Sequence, residues 1–155
     1  MARFRRIRNL PRVARRVGAS RWQAALAPQV LGKITKHPGG NTERFGHLFG
    51  VYEATQYPGD SWMHSPEIPL RLRSVRIWSD SGGIQGGSSF TFQLYVNGKE
   101  VPGFTGVVEA PNWACDIPGE TVIPANSEQL HWSIQASGNA ASNSQFTVVG
   151  EVLPG

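Results

Sequence analysis

The chain has one cysteine, Cys115. A lone thiol forms no internal disulfide and no Cys-based zinc site. No apolar run approaches the roughly 20 residues that a membrane-crossing helix needs. The N-terminus is too often interrupted by arginine to hold a secretory h-region. Its arginine-rich, acid-free character overlaps instead with that of a mitochondrial transit peptide. The four histidines, His37, His47, His64 and His131, have no metal-ligand spacing. Ser61 and Ser65 flank His64, but no acid completes a triad pattern. Asp60, Glu67 and Asp80 fall in loop-like stretches without calcium-loop spacing. Gly82-Gly83 and Gly86-Gly87 lack the GK[ST] of a phosphate loop. These absences argue against an enzyme and lead us to expect no metal and no cofactor.

What is abundant is turn-forming residues. Glycine (18) and proline (11) are plentiful and charged residues make up only 17%, a profile that favours an all-β fold. A chain of 155 residues suits one ordinary domain with its own core. Charge divides it in two. Residues 1–42 hold ten Lys or Arg and no acid; residues 43–155 hold five Lys or Arg against eleven acids. The net charge of +4 thus hides a basic arm on an acidic body. We place the boundary there: arm and linker over 1–42, β domain over 43–155.

In the arm, Phe4, Ile7, Leu10, Val13 and Val17 recur at helical spacing. Pro11 is acceptable only at the start of a short helix, with Gly18 at its end. Ser20 and Gln23 form a capping-box pattern that opens a second short helix, stopped by Pro28. Gln29 to Thr42 reads as a linker, because Gly32, Pro38, Gly39 and Gly40 interrupt it.

The body reads as strands. Phe90, Phe92, Leu94 and Val96 alternate with polar residues, and Asn97-Gly98 supplies a type I′ turn. Lys99 to Val101 starts the return strand, which Pro102-Gly103 should cut short. Before this hairpin, Phe45 to Glu53 alternates as one strand with Phe45, His47, Phe49 and Val51 on one face. Tyr57 to Pro69 is a loop. Leu70 to Trp78 is a strand whose phase slips, so a bulge near Ser74 is expected. Ser79 to Gly87 is a loop. Afterwards come short strands at 104–109, 112–117 and 121–123. Leu130, Trp132, Ile134 and Ala136 point inward on the next strand, with His131 outward and solvated. Phe146 and Val148 point inward on the last. About eight strands with regular turns imply an antiparallel β-sandwich or jelly roll.

Trp62, Trp78, Trp113 and Trp132 are many for this body. Trp132 is in phase with the core. Trp62 and Trp113 lie near loops, where they fit a subunit interface or a glycan platform. The arm's partner-binding residues are Arg3, Phe4, Arg5, Arg6, Ile7, Arg8, Leu10, Arg12, Arg15, Arg16, Val17, Arg21 and Trp22. Arginine with interleaved apolar residues suits docking on an acidic protein surface; its charge alone also suits nucleic acid. Pro11 and Pro28 argue against a membrane-surface helix.

The hairpin Tyr95 to Val101 (YVNGKEV) and the segment Glu120 to Ala140 (ETVIPANSEQLHWSIQASGNA) resemble small virion proteins of tailed bacteriophages. These are the capsid decoration (cement) proteins and the sandwich domains of head and tail fibres. The resemblance implies a structural protein that trimerises on the exterior of a capsid lattice and reaches neighbouring subunits, the major capsid protein among them, with its arm. The arm is more basic than that family implies, which leaves a DNA-facing position open. Two other readings stay open: a receptor- or glycan-binding module anchored by the arm, and a jelly-roll capsid protein whose arm binds nucleic acid.

Overall fold

The structure, a computed structural model, describes residues 29–61, 67–80, 88–140 and 143–155. Its strands are β1 (Gln29–His37), β2 (Glu43–His47), β3 (Gly50–Glu53), β4 (Leu70–Ser79), β5 (Ser89–Val96), β6 (Lys99–Glu109), β7 (Ala114–Ile123), β8 (His131–Ser137) and β9 (Ser144–Pro154). They form a five-stranded sheet in the order β3-β1-β9-β4-β7 and a four-stranded sheet in the order β2-β8-β5-β6. Four antiparallel pairings nest inside one another. The hairpin β5–β6 is innermost, followed by β4–β7, β2–β8 and β1–β9. β3 stands outside this scheme, parallel to β1 on the edge of the five-stranded sheet.

Alternation puts the core between the sheets. Phe90, Phe92 and Leu94 of β5 and Trp132, Ile134 and Ala136 of β8 are buried from one side. Leu72, Val75 and Ile77 of β4 with Phe146 and Val148 of β9 are buried from the other. Phe92 meets Phe146 edge to face at 5.0 Å and Trp132 at 6.0 Å. Each such side chain contributes roughly 1.5–3 kcal/mol on full burial. Ser74 takes φ 51° where the β4–β7 register shifts between Arg73 and Val75. This is the expected bulge, and it lets Leu72 and Val75 share the inward face.

Several sequence expectations change. The stretch read as a linker over 29–42 begins instead with a strand, β1 (Gln29–His37). Gly32 does not break that strand. It permits the close approach of β3, since a Cβ there would lie 2.7 Å from the Gly50 carbonyl oxygen. The single strand expected over 45–53 is two, one in each sheet. Leu48 is buried between them, and Gly50 (φ 93°) lets the chain turn. The short strands expected at 112–117 and 121–123 are one, β7, and β6 continues through Pro102-Gly103 to Glu109. Both strands are sheet edges, where a proline costs no ladder bond. The described chain thus has nine strands rather than eight. The two short helices expected in the arm lie outside the described residues.

Candidate functional site

A concave feature of the described surface lies on the outer side of the four-stranded sheet. Its position follows from strand register. His47 of β2 opposes His131 of β8, His131 opposes Tyr95 of β5, and Tyr95 opposes Glu100 of β6. Opposed residues share a face, so these four form one row across the sheet. Gly46, the neighbour of His47, faces the core, since a Cβ there would lie 2.8 Å from Ile34 Cγ1. Glu43, Phe45 and His47 therefore face outward.

The rings of this row build a slab. Tyr95 stacks on His131 with centroids 5.2 Å apart and planes 7° from parallel. Phe45 meets His131 edge-on at 5.6 Å. Backbone bonds between Phe45 and Thr55 fold the next segment back beside β2, which brings Pro58 to the rim. The Asn97-Gly98 turn (φ 54° and 74°) closes the other end, with the Gln129 amide lying over Gly98. The result is a groove of about 320 Å³ lined by Glu43, Phe45, Pro58, Tyr95, Gly98, Gln129 and His131.

Its electrostatics are those of a ring slab beside carboxylates. Burial pushes the Tyr95 phenol above its ordinary value of 10.0; Glu100 and Glu43 act in the same direction, and a hydrogen bond to the Glu100 carboxylate adds to it. Burial holds His131 below its ordinary 6.5; the Gln129 backbone opposes this and His47 adds to it. His131 was expected to be solvated. It does point outward, but the ring slab leaves it only 4% exposed. One Glu43 oxygen accepts a 2.6 Å bond from Ser133 Oγ. Among the described residues, no Lys or Arg forms an ion pair with Glu43 or Glu100.

The five-stranded sheet is different, because its charges are matched. Lys33 pairs with Asp80 (3.0 Å), Lys36 with Glu53 (2.7 Å), Arg71 with Glu120 (3.2 Å) and Arg76 with Asp116 (2.7 Å). Arg73 lies between Glu120 (4.0 Å) and Glu151 (3.7 Å). The acid surplus of the body therefore lies elsewhere, on the four-stranded sheet and the loops.

Of the candidate arm, interface and glycan-binding residues read from the sequence, Trp113 is the one that lies among the described residues. It is half-buried in the turn before β7 with φ 51°, packed against the core. Its N–H donates to the Glu109 carbonyl and its carbonyl accepts from Ser79. It does not line the groove. Trp62 lies outside the described residues. So do Arg3, Phe4, Arg5, Arg6, Ile7, Arg8, Leu10, Arg12, Arg15, Arg16, Val17, Arg21 and Trp22. The groove residues were missed because four separated segments supply them. The available signal was Tyr95, the outward aromatic next to the Asn-Gly turn.

Among the described residues, no cluster of three or more His, Cys, Asp or Glu is placed to hold a metal ion. Burial, with Asp116 nearby, pushes the Cys115 thiol up to about 11, which makes it a poor nucleophile. No protein-family model matches this chain, and no curated protein matches it.

Proposed function

We propose that this protein is a jelly-roll structural subunit of a virus particle, tied to neighbouring components by its basic N-terminal segment. The observation that carries this reading is the nested pairing β1–β9, β2–β8, β4–β7 and β5–β6. Rolling one long antiparallel ribbon produces that order, and the jelly roll is an architecture of viral capsid and lectin domains. The charge distribution adds to it. Residues 1–28 carry eight arginines and no acid, directly before β1, while the acids exceed the bases by four in 29–155. Such a subunit closes into a symmetric assembly, for which a trimer is our working state. A decoration protein on the shell and a subunit of the shell itself are both versions of this role.

The full chain should sediment as a discrete oligomer and form regular particles, or bind shells that lack it, in electron micrographs. A monomer at all concentrations that also fails to bind shells would sink the reading. A second role for the N-terminal segment, binding nucleic acid, is favoured by its acid-free arginine content. In that case log affinity for nucleic acid falls along a steep straight line against log salt. Protein docking with apolar anchoring instead levels off at a residual affinity.

A further inference from the structure

We propose that the groove beside Tyr95 and His131 receives an arginine side chain from the N-terminal segment, residues 1–28, of a second copy of this chain. The inference rests on the reading that the protein assembles through that segment, and it names where the segment docks. The shape fits a flat cation. Tyr95 and His131 are stacked nearly parallel, and a guanidinium lies favourably on the face of such a ring. The charge fits as well. Glu43 and Glu100 border the slab, and among the described residues neither forms an ion pair. Arg44, the residue after Glu43, donates to the Glu43 backbone carbonyl at 3.0 Å. By contrast, every Lys and Arg on the five-stranded sheet already has an acid. What sets the groove apart is that two such carboxylates stand beside stacked rings.

The composition of residues 1–28 points to the occupant. All eight basic residues of 1–28 are arginine and none is lysine. Neutralising phosphate needs only positive charge, which lysine supplies equally well. Stacking on a ring while forking onto a carboxylate needs the planar guanidinium. A second copy is the donor because the subunit reading has this segment tie neighbouring components together.

The test uses the full chain with its eight N-terminal arginines changed to glutamine, so that it cannot fill its own groove. A fluorescent synthetic peptide of residues 1–28 is titrated into it and followed by anisotropy. We expect saturable binding. Changing every peptide arginine to lysine should weaken it at least about tenfold. Glu43→Gln in the body should do the same, and so should Tyr95→Leu, while Tyr95→Phe keeps the ring and the binding. Glu109→Gln, on the same sheet outside the groove, should change nothing. Equal binding of the lysine peptide, or equal losses from Glu109→Gln and Glu43→Gln, would show unspecific attraction and overturn the assignment. Binding of monosaccharides that Tyr95→Leu abolishes, without peptide binding, would overturn it in favour of a glycan site. Wild-type chain in which the groove is occupied independently of concentration would overturn the second-copy donor. If Glu43→Gln and Tyr95→Leu chains assemble normally and the peptide does not bind, the groove assignment fails and the subunit reading stands. If the peptide binds but no chain assembles, the groove assignment stands and the subunit reading fails.

Discussion

His37 shows how two hydrogen bonds fix the charge of one ring. The Gly39 N–H donates to Nδ1 at 3.1 Å, so Nδ1 is unprotonated. The hydrogen is on Nε2, which donates to the Ile134 carbonyl at 3.0 Å. A second proton would have to sit on Nδ1, facing the Gly39 N–H. Burial holds the pKa below 6.5; the Ile134 bond opposes this and Arg44 adds to the lowering. His131 is lowered too. Between 6.5 and the folded values, the unfolded chain binds more protons than the folded one, so stability falls as pH falls. Melting temperature should therefore drop between about pH 7 and about pH 5, the range in which histidines titrate. His37→Gln, which can still donate and accept, should flatten that drop. A melting temperature independent of pH over this range would contradict the assignment. None of this was legible in the sequence, where His37 sits between a lysine and a proline in an apparent linker. Its partner Ile134 is 97 residues away.

At the scale of elements, the β5–β6 hairpin was readable because its signal is local. Alternation and Asn-Gly lie within a dozen residues. Its turn also serves a long-range purpose. Asn97 Oδ1 accepts from the Glu128 N–H at 2.8 Å, its own N–H donates to the Glu128 carbonyl at 2.9 Å, and its Nδ2 donates to Ser127 Oγ at 3.3 Å. Asn97→Ala loses the side-chain bonds and puts a Cβ-branchless but non-asparagine residue at positive φ. It should cost about 1–3 kcal/mol. The check is a lower denaturant midpoint with an unchanged slope. The proline-marked breaks in β6 and β7 were misread for the opposite reason. Proline ends a central strand but not an edge strand, and edge position is a property of the sheet. The two edges also meet across the sandwich. A Cβ on Gly106 of β6 would lie 2.6 Å from Cys115 Sγ of β7.

For the whole molecule, the position of β1 decides what can be removed. β1 lies between β3 and β9, and its Ile34 and His37 are buried. A chain truncated to begin at Glu43 would open the β9 edge and leave a gap beside Gly46. A chain beginning at Gln29 keeps every described strand. Circular dichroism should show cooperative β unfolding for the second and none for the first. Equal melting of both would mean that β1 is dispensable. The ion pairs across the five-stranded sheet are surface pairs, worth little individually. Salt should therefore change the melting temperature little.

The sequence by itself determined the all-β class, the central hairpin, the β4 bulge, the inward faces of β5, β8 and β9, and the concentration of positive charge at the N-terminus. Each is encoded within a few adjacent residues, by period, turn chemistry or charge. The tertiary structure alone decided that Gln29–His37 is a strand, that two proline-bearing strands are edges, and that Glu43, Phe45, Tyr95 and His131 share a groove. These depend on which strands become neighbours. Neighbours are chosen by burying the apolar faces of the whole chain together, a choice that no short window contains.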